Sequence, residues 1–117
     1  MKNPATVDFV RRMARPAELV LSVCTGALLL GAAGLLDDLP ATTHHERYDL
    51  LAQVAPRAKV VREQRVVDAG KVITSGGISS GIDMAFHVVE RLLGAGEAAD
   101  TAAYMEYRRV VTGPPPA

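Results

Sequence analysis

The feature that most constrains the fold is an apolar run over residues 19–36 that changes its character at Cys24. Residues 19–23 are mostly aliphatic and partly β-branched, which favours a strand, whereas the pattern after the cysteine favours a helix. A strand so uniformly apolar is typical of a parallel sheet that is covered on both faces. The run therefore predicts a buried parallel strand at residues 19–23, a sharp turn at Cys24 and a helix over residues 25–36.

Cys24 stands where a nucleophile elbow would place a reactive side chain, at a sharp strand-to-helix turn. Such a turn needs small residues two positions before and after the nucleophile, and Ser22 and Gly26 meet this requirement. The first turn of a helix favours a thiolate, and the N–H groups of Thr25 and Gly26 could bind an oxyanion. Core packing is the alternative explanation, because free cysteines are among the most often buried residues.

Composition bounds the class of protein. The chain has 117 residues, 49% of them hydrophobic and 22% charged, which predicts one small globular domain. Thirteen basic and thirteen acidic residues leave no net charge, so neither a nucleic acid nor a membrane surface is an expected partner. Polar and glycine residues within the apolar run disfavour a membrane span. A single cysteine excludes an internal disulfide, and we expect a cytoplasmic protein with no cofactor.

The rest of the chain predicts alternating helices and strands, which indicates an α/β sheet. A helix is expected to begin at Pro4 and end before Pro16, and residues 111–117 are expected to form a disordered, proline-rich tail. The other predicted elements are strands at residues 41–43, 59–62, 65–68 and 71–74, and helices at residues 45–54, 80–93 and 96–108. In the helix over residues 80–93, Ser80 and Asp83 have the spacing of a capping box, and Ala85 and Leu92 belong to its predicted apolar face.

His44 follows the predicted strand at residues 41–43. Ligands of open parallel sheets bind beyond the carboxyl ends of the strands. If this strand neighbours residues 19–23, His44 lies near Cys24 and could pair with the thiolate or carry protons. Alternatively, His44 only caps or packs against the helix that follows.

Three further features of the sequence contain residues that could bind a ligand. His45 and Asp49 have the i, i+4 spacing of two metal ligands, but they lack a third, so a solvated helix face is favoured and no metal site is predicted. His87 falls opposite the apolar stripe of its helix and is expected at the surface, beside Asp83. The loop over residues 76–81 leads from a strand into a helix and could cradle an anion, although a tight crossing beside the cysteine is the simpler explanation.

Four motifs in order resemble the ThiJ/PfpI family of the class I glutamine amidotransferase-like superfamily. They are SVCTGA at residues 22–27, AAGLLD at 32–37, ATTH at 41–44 and VITSGGISSGID at 72–83. The Cys-Thr pair is most similar to the isonitrile hydratase-like branch. The resemblance extends over residues 4–108, and residues 1–110 are expected to be part of one domain of this family.

This resemblance implies part of a flavodoxin-like three-layer αβα sandwich with a mainly parallel sheet. It also implies an elbow cysteine at Cys24, oxyanion contacts near Thr25 and a position for His44 beside the pocket. In that branch the reaction is a cysteine-dependent hydration of isonitriles to N-substituted formamides, so a small-molecule substrate is expected. The candidate substrate-binding residues are the glycines nearest the turn, namely Gly26, Gly76 and Gly77.

The resemblance also implies further strands and helices before the elbow, which supply an acidic residue that works with the cysteine. Only residues 1–18 precede the elbow strand, and Asp8 and Glu18 match no such motif. We therefore expect the chain to correspond to the C-terminal part of the domain, with an apolar edge exposed. A second copy or a separate chain would complete it. A non-catalytic ligand- or redox-sensing domain, like those of transcription regulators, and an inactive remnant are the alternatives.

Overall fold

The computed structural model describes residues 4–108, apart from the side chain of Ile78, and the predicted tail at residues 111–117 lies outside this range. Five helices, five strands and one 3-10 helix follow one another within it. They are α1 (Pro4–Ala14), β1 (Val20–Ser22), α2 (Gly26–Ala32), β2 (Pro40–Ala41), a 3-10 helix (His45–Arg47), α3 (Tyr48–Val54), β3 (Lys59–Val60), β4 (Val66–Asp68), β5 (Val72–Ser75), α4 (Ile78–Leu93) and α5 (Ala95–Tyr104).

The strands form two small sheets. In the first, the order is β1-β5-β4, with β1 parallel to β5 and β4 antiparallel to it, and Leu21 lies opposite Ile73. In the second, β2 pairs in parallel with β3. The condition under which strand pairing would bring His44 close to Cys24, a strand at residues 41–43 beside β1, is therefore not met. The mixture of mainly parallel strands with helices agrees with the α/β class.

The larger apolar core lies where α2 and α3 pack together beside the strands. Gly31 allows this contact, because a Cβ atom there would lie 2.9 Å from the Cβ of Ala55. A second cluster joins β4 and β5 to α4. The buried residues of the larger cluster are Ala27, Leu28, Leu30, Leu36, Ala41, Leu51, Ala55 and Val72.

One face of β1 is open, and the prediction that this strand is covered on both faces is wrong. Leu21 is 44% exposed and Val23 is 43% exposed, in agreement with the apolar edge that the resemblance led us to expect. On α1, Phe9 and Met13 are exposed too. These four side chains line a groove of about 430 Å³ between α1, β1 and α2, which we call the β1 groove.

Helix α4 begins at Ile78, two residues before the predicted start at residue 80. Gly77 is its N-cap, and the predicted capping box does not form. Ser80 instead lies inside the first turn and is buried, while the fully buried Asp83 approaches Arg65 with an N–O distance of 3.1 Å. Asp83 thus lies beyond the first turn of α4 and pairs with Arg65 instead of capping the helix.

The buried face of α4 differs from the apolar stripe in the sequence. His87 is buried rather than exposed, so the surface prediction for this residue is wrong. Ala85 and Leu92, predicted on the apolar face, are exposed. A polar partner in β4 explains the difference, because Asp68 accepts a hydrogen bond from the buried imidazole, and an apolar stripe in the sequence does not predict such a partner.

Other boundaries shift because turns interrupt the predicted helices. α2 ends at Ala32 rather than at residue 36, since Gly34 adopts a positive φ of 78°. The predicted helix over residues 45–54 is divided into the 3-10 helix and α3. Within residues 4–108, no helix is long and apolar enough to cross a membrane.

Candidate functional site

Cys24 occupies the strand-to-helix turn between β1 and α2 with a φ of 57°. This left-handed conformation costs about 1 kcal/mol for a residue with a Cβ atom, so surrounding contacts must hold it. The N–H of Cys24 donates to the carbonyl oxygens of Ser75 and Gly76, at 3.1 and 2.6 Å. The loop that follows β5 thus fixes the turn.

A third segment also holds the turn. The hydroxyl of Thr43 donates to the carbonyl oxygen of Cys24 at 2.7 Å, and Thr43 is buried. The preceding residue, Thr42, donates its N–H to Oγ1 of Thr74 at 2.8 Å. The chain after β2 therefore lies beside β5 and the cysteine turn, although β2 itself pairs with β3.

The closest approach around the turn lies at Gly81 rather than at Gly26. A Cβ atom at Gly26 would lie 3.5 Å from the Cβ of Ser22, which is an ordinary contact. At Gly81 it would lie 3.0 Å from Cγ1 of Val23, which is too close without a local shift. The tight crossing predicted for the loop over residues 76–81 is thus the contact of α4 with the residue before the cysteine.

The N–H groups at the turn are not equally available to a ligand. That of Cys24 is used by the loop after β5, and that of Gly26 donates to the carbonyl oxygen of Val23 at 3.0 Å. The N–H of Thr25 has no such acceptor within the described range, and Thr25 is exposed. Of the two predicted oxyanion donors, Thr25 is the one whose N–H points to no carbonyl.

His44 acts as a cap in this structure. Its Nδ1 accepts a hydrogen bond from the N–H of Glu46 at 3.1 Å, and its ring stacks on His45 with 4.4 Å between centroids. Among the contacts of residues 4–108, none joins His44 to Cys24. The arrangement agrees with the capping alternative, and Thr43 rather than His44 contacts the cysteine.

The two potential metal ligands diverge. His45 is exposed and lies 3.8 Å from Glu46, while Asp49 accepts a hydrogen bond from Arg62 at 3.2 Å. In the part of the chain that the structure describes, no three His, Cys, Asp or Glu side chains are grouped to hold a metal ion.

Next to the turn lies a cavity of about 160 Å³, which we call the polar pocket. Gly76 and Gly77, two of the predicted substrate-binding glycines, line it. Gly26 lines the β1 groove instead. The polar pocket is also lined by five residues with polar or charged side chains that could bind a ligand, namely Thr43, His45, Tyr48, Arg62 and Arg65. Sequence analysis did not identify the two arginines because they lie in the connection between β3 and β4, whose position is set by distant partners.

A second polar cluster ties α4 to β4. Nε2 of His87 lies 2.6 Å from Asp68, and Nη1 of Arg91 lies 3.0 Å from both carboxylate oxygens. Burial acts to raise the pKa of Asp68, but hydrogen bonds from His87 and Gly70 and the charge of Arg91 outweigh it and lower the pKa. Asp68 lies opposite Ile73, while the cysteine turn contacts Ser75 at the other end of β5. The cluster is therefore structural.

The structure thus defines an α/β protein with a mixed sheet and a cysteine held in a left-handed conformation at a strand-to-helix turn. Residues 1–91 match the DJ-1/PfpI family. The chain belongs to the DJ-1/PfpI family, and its α/β fold is consistent with the flavodoxin-like class.

Among its relatives is the isonitrile hydratase of Pseudomonas putida, which is 42% identical over 92% of this chain and 46% of its own length. The HTH-type transcriptional regulator CdhR of Pseudomonas aeruginosa is 31% identical over 79% of this chain and 27% of its own. The crystal structure of a ThiJ/PfpI family protein from Pseudomonas syringae superposes with a TM-score of 0.80 and 32% identity, covering 97% of this chain and 45% of that one. The chain thus spans less than half the length of each of these relatives.

Proposed function

We propose that Cys24 is the nucleophile of a DJ-1/PfpI-type site that acts on a small electrophilic molecule, with an isonitrile as the first substrate to test. The conformation of Cys24 carries the proposal, because a φ of 57° is held by contacts from two remote segments rather than by local preference. The 42% identity with isonitrile hydratase supports the choice of substrate class.

The chemistry would proceed in two balanced steps. The sulfur of Cys24 forms a bond to the terminal carbon of the isonitrile while a proton is delivered to that carbon, giving a thioimidate. Water then adds to the same carbon, and the C–S bond breaks to release the N-substituted formamide and the thiol. In this proposal, the N–H of the exposed Thr25 would stabilise negative charge that develops near the turn.

Each step needs a group that donates a proton or accepts one. His44 is engaged as a cap through Nδ1, and the buried Asp68 and Asp83 are engaged with His87 and Arg65. We propose that the acidic group comes from outside residues 4–108, as the family resemblance implies. The same proposal accounts for the β1 groove, whose open strand edge and apolar side chains a second copy or a separate chain would cover.

Product analysis tests the catalytic proposal. The protein is incubated with an alkyl isonitrile, and the formamide and any adduct on Cys24 are measured by mass spectrometry. We expect an adduct or product in the wild type and neither in Cys24→Ala, with Cys24→Ser as the isosteric control. Equal turnover in the wild type and Cys24→Ala would refute the proposal.

The partner proposal is tested by association. Because Phe9 and Leu21 are exposed in the β1 groove, the wild type should associate with increasing concentration in sedimentation experiments. Leu21→Lys should shift it toward the monomer, whereas Leu93→Lys, at an exposed position on α4 outside the groove, should not. Equal association of both variants would contradict a role for the groove.

A second candidate function is ligand or redox sensing without catalysis in a cytoplasmic protein. The similarity to the transcriptional regulator CdhR favours it. In this case Cys24 would react with peroxide without turning over an isonitrile. A thiol inert toward peroxide and isonitrile alike would leave the inactive remnant as the explanation.

A further inference from the structure

We propose that the polar pocket binds the carboxylate group of a small-molecule ligand and holds it beside Cys24. This inference deepens the proposed function and rests on it, since it assigns an anionic group to the substrate of the same site. It starts from the position of the pocket. Thr43 and Gly76 both line the pocket, and both make hydrogen bonds to the backbone of Cys24, at 2.7 and 2.6 Å.

The pocket is lined by two arginines, each of which also contacts one aspartate. Arg62 and Arg65 line it together with His45, and Glu63 is the one acidic side chain among its lining residues. An arginine presents several N–H donors in a planar fork that matches the two oxygens of a carboxylate. A carboxylate is therefore the ligand group that fits two neighbouring arginines best.

Both guanidinium groups are oriented before any ligand arrives. Arg62 contacts Asp49 through Nη2 at 3.2 Å, and its guanidinium carbon lies 5.2 Å from the centre of the Tyr48 ring. Arg65 contacts the buried Asp83 through Nη2 at 3.1 Å. Each of these contacts uses one terminal nitrogen, which leaves other N–H groups of the fork for a ligand. Such preorganisation reduces the entropy lost on binding.

The size of the pocket restricts the ligand. About 160 Å³ accommodates a carboxylate with a short substituent, whereas drug-sized ligands occupy cavities of roughly 300 Å³ or more. The wall at Gly77 is open, since no atom lies within 4 Å of the position of a Cβ there. The N-terminus of the 16-residue helix α4 adds positive potential on the same side.

Two alkylating reagents of nearly equal size test the proposal. Iodoacetate and iodoacetamide form the same C–S bond with a thiolate and release iodide, but only iodoacetate carries a carboxylate. The rate constant of iodoacetate at Cys24 is divided by that of iodoacetamide, and the result is divided by the same ratio measured for 2-mercaptoethanol. This normalised ratio isolates the effect of the pocket. We expect it to be roughly three to ten, because a cation near the reagent attracts the negative charge of iodoacetate.

Arg62→Gln should bring the normalised ratio toward unity, and since Arg62 is 54% exposed the variant should fold. Arg57→Gln is the matched control, because it removes the same charge from an exposed arginine that pairs with Asp37 and Asp38. A ratio of unity in the wild type, or an equal fall in both variants, would overturn the carboxylate site.

A second measurement does not depend on the cysteine. Sodium acetate is titrated against sodium chloride of equal ionic strength while the amide resonances of Gly76 and Gly77 are followed by NMR. Saturable shifts with acetate that are lost in Arg62→Gln support the site, and identical responses to both salts overturn it. If Cys24 is inert to iodoacetamide while acetate still binds, the proposed function fails and the carboxylate site stands.

Discussion

The hydroxyl of Thr43 donates a 2.7 Å hydrogen bond to the backbone carbonyl of Cys24, and through it the segment after β2 holds the turn at the end of β1. The same turn is held from the other side by the carbonyl oxygens of Ser75 and Gly76. Both sets of contacts bridge long stretches of sequence. The conformation of the cysteine is thus a product of tertiary structure.

Thr43→Val should lower the free energy of unfolding by about 1 to 2 kcal/mol, because it removes the donor to the Cys24 carbonyl at a buried site of nearly unchanged volume. Urea unfolding measures the loss. Thr43→Ser keeps the hydroxyl and serves as the control. The rate at which Cys24 is alkylated should be closer to the wild-type rate in Thr43→Ser than in Thr43→Val. Equal alkylation rates in the two variants would show that this hydrogen bond does not position the cysteine.

Cys24→Gly should be more stable than Cys24→Ala by about 1 kcal/mol, because glycine adopts a φ of 57° without the steric cost of a Cβ atom. Thermal unfolding of the two variants, neither of which has a thiol, isolates this backbone effect. Glycine also gains more freedom in the unfolded chain, which reduces the difference. An alanine variant more stable than the glycine variant would show that the turn relaxes to a negative φ.

Gly81→Ala should destabilise the protein, because the new Cβ would lie 3.0 Å from Cγ1 of Val23. The cost should fall by about 1 kcal/mol when Val23→Ala removes that atom, so a double-mutant cycle should show positive coupling. Gly96→Ala is the control, since a Cβ there has open space. Additive effects of the two substitutions would mean that α4 and the turn adjust independently.

Asp68→Asn should lower the free energy of unfolding at neutral pH by about 2 kcal/mol, because it removes the charge that His87 and Arg91 contact. The pKa of Asp68 is lowered in the folded state, so its stabilisation is present above the unfolded pKa and is lost as pH falls through the folded value. The difference in free energy of unfolding between the wild type and the variant should therefore become smaller below about pH 4.

Denaturant unfolding at neutral and acidic pH measures this difference in free energy. Asp8→Asn is the control, since Asp8 is exposed and pairs with Arg11 and Arg12 at the surface. A gap between the wild type and Asp68→Asn that stays constant down to pH 3 would contradict the assignment.

The α/β class and most element positions could be predicted from the sequence. Periodicity and proline or glycine signals located all five helical regions and the five strands, with shifts at their ends. The run through Cys24 indicated the strand-to-helix turn, and the motif around it pointed to the family that the comparisons show. These features depend on near neighbours in the chain, where local sterics and hydrophobic spacing decide the outcome.

The burial of polar side chains could not be predicted in the same way. Asp83 and His87 have the pattern of an exposed face, yet both are buried because Arg65 and Asp68 supply partners from other elements. The exposure of Leu21 agrees with the apolar edge that the family resemblance implied, whereas the apolar strand pattern alone predicted a covered strand. Both incorrect burial predictions concern contacts between segments far apart in sequence.

The sequence by itself determined that residues 19–36 form a strand, a turn at a lone cysteine and a helix, and it determined the family motifs that surround them. Only the tertiary structure decided that Thr43 rather than His44 contacts Cys24, and that Arg62 and Arg65 line a pocket beside it. The physical reason is the range of the interactions. Strand and helix preferences arise within a few residues, whereas hydrogen bonds and ion pairs at the site need the registers of β2, β4 and β5 to be fixed first.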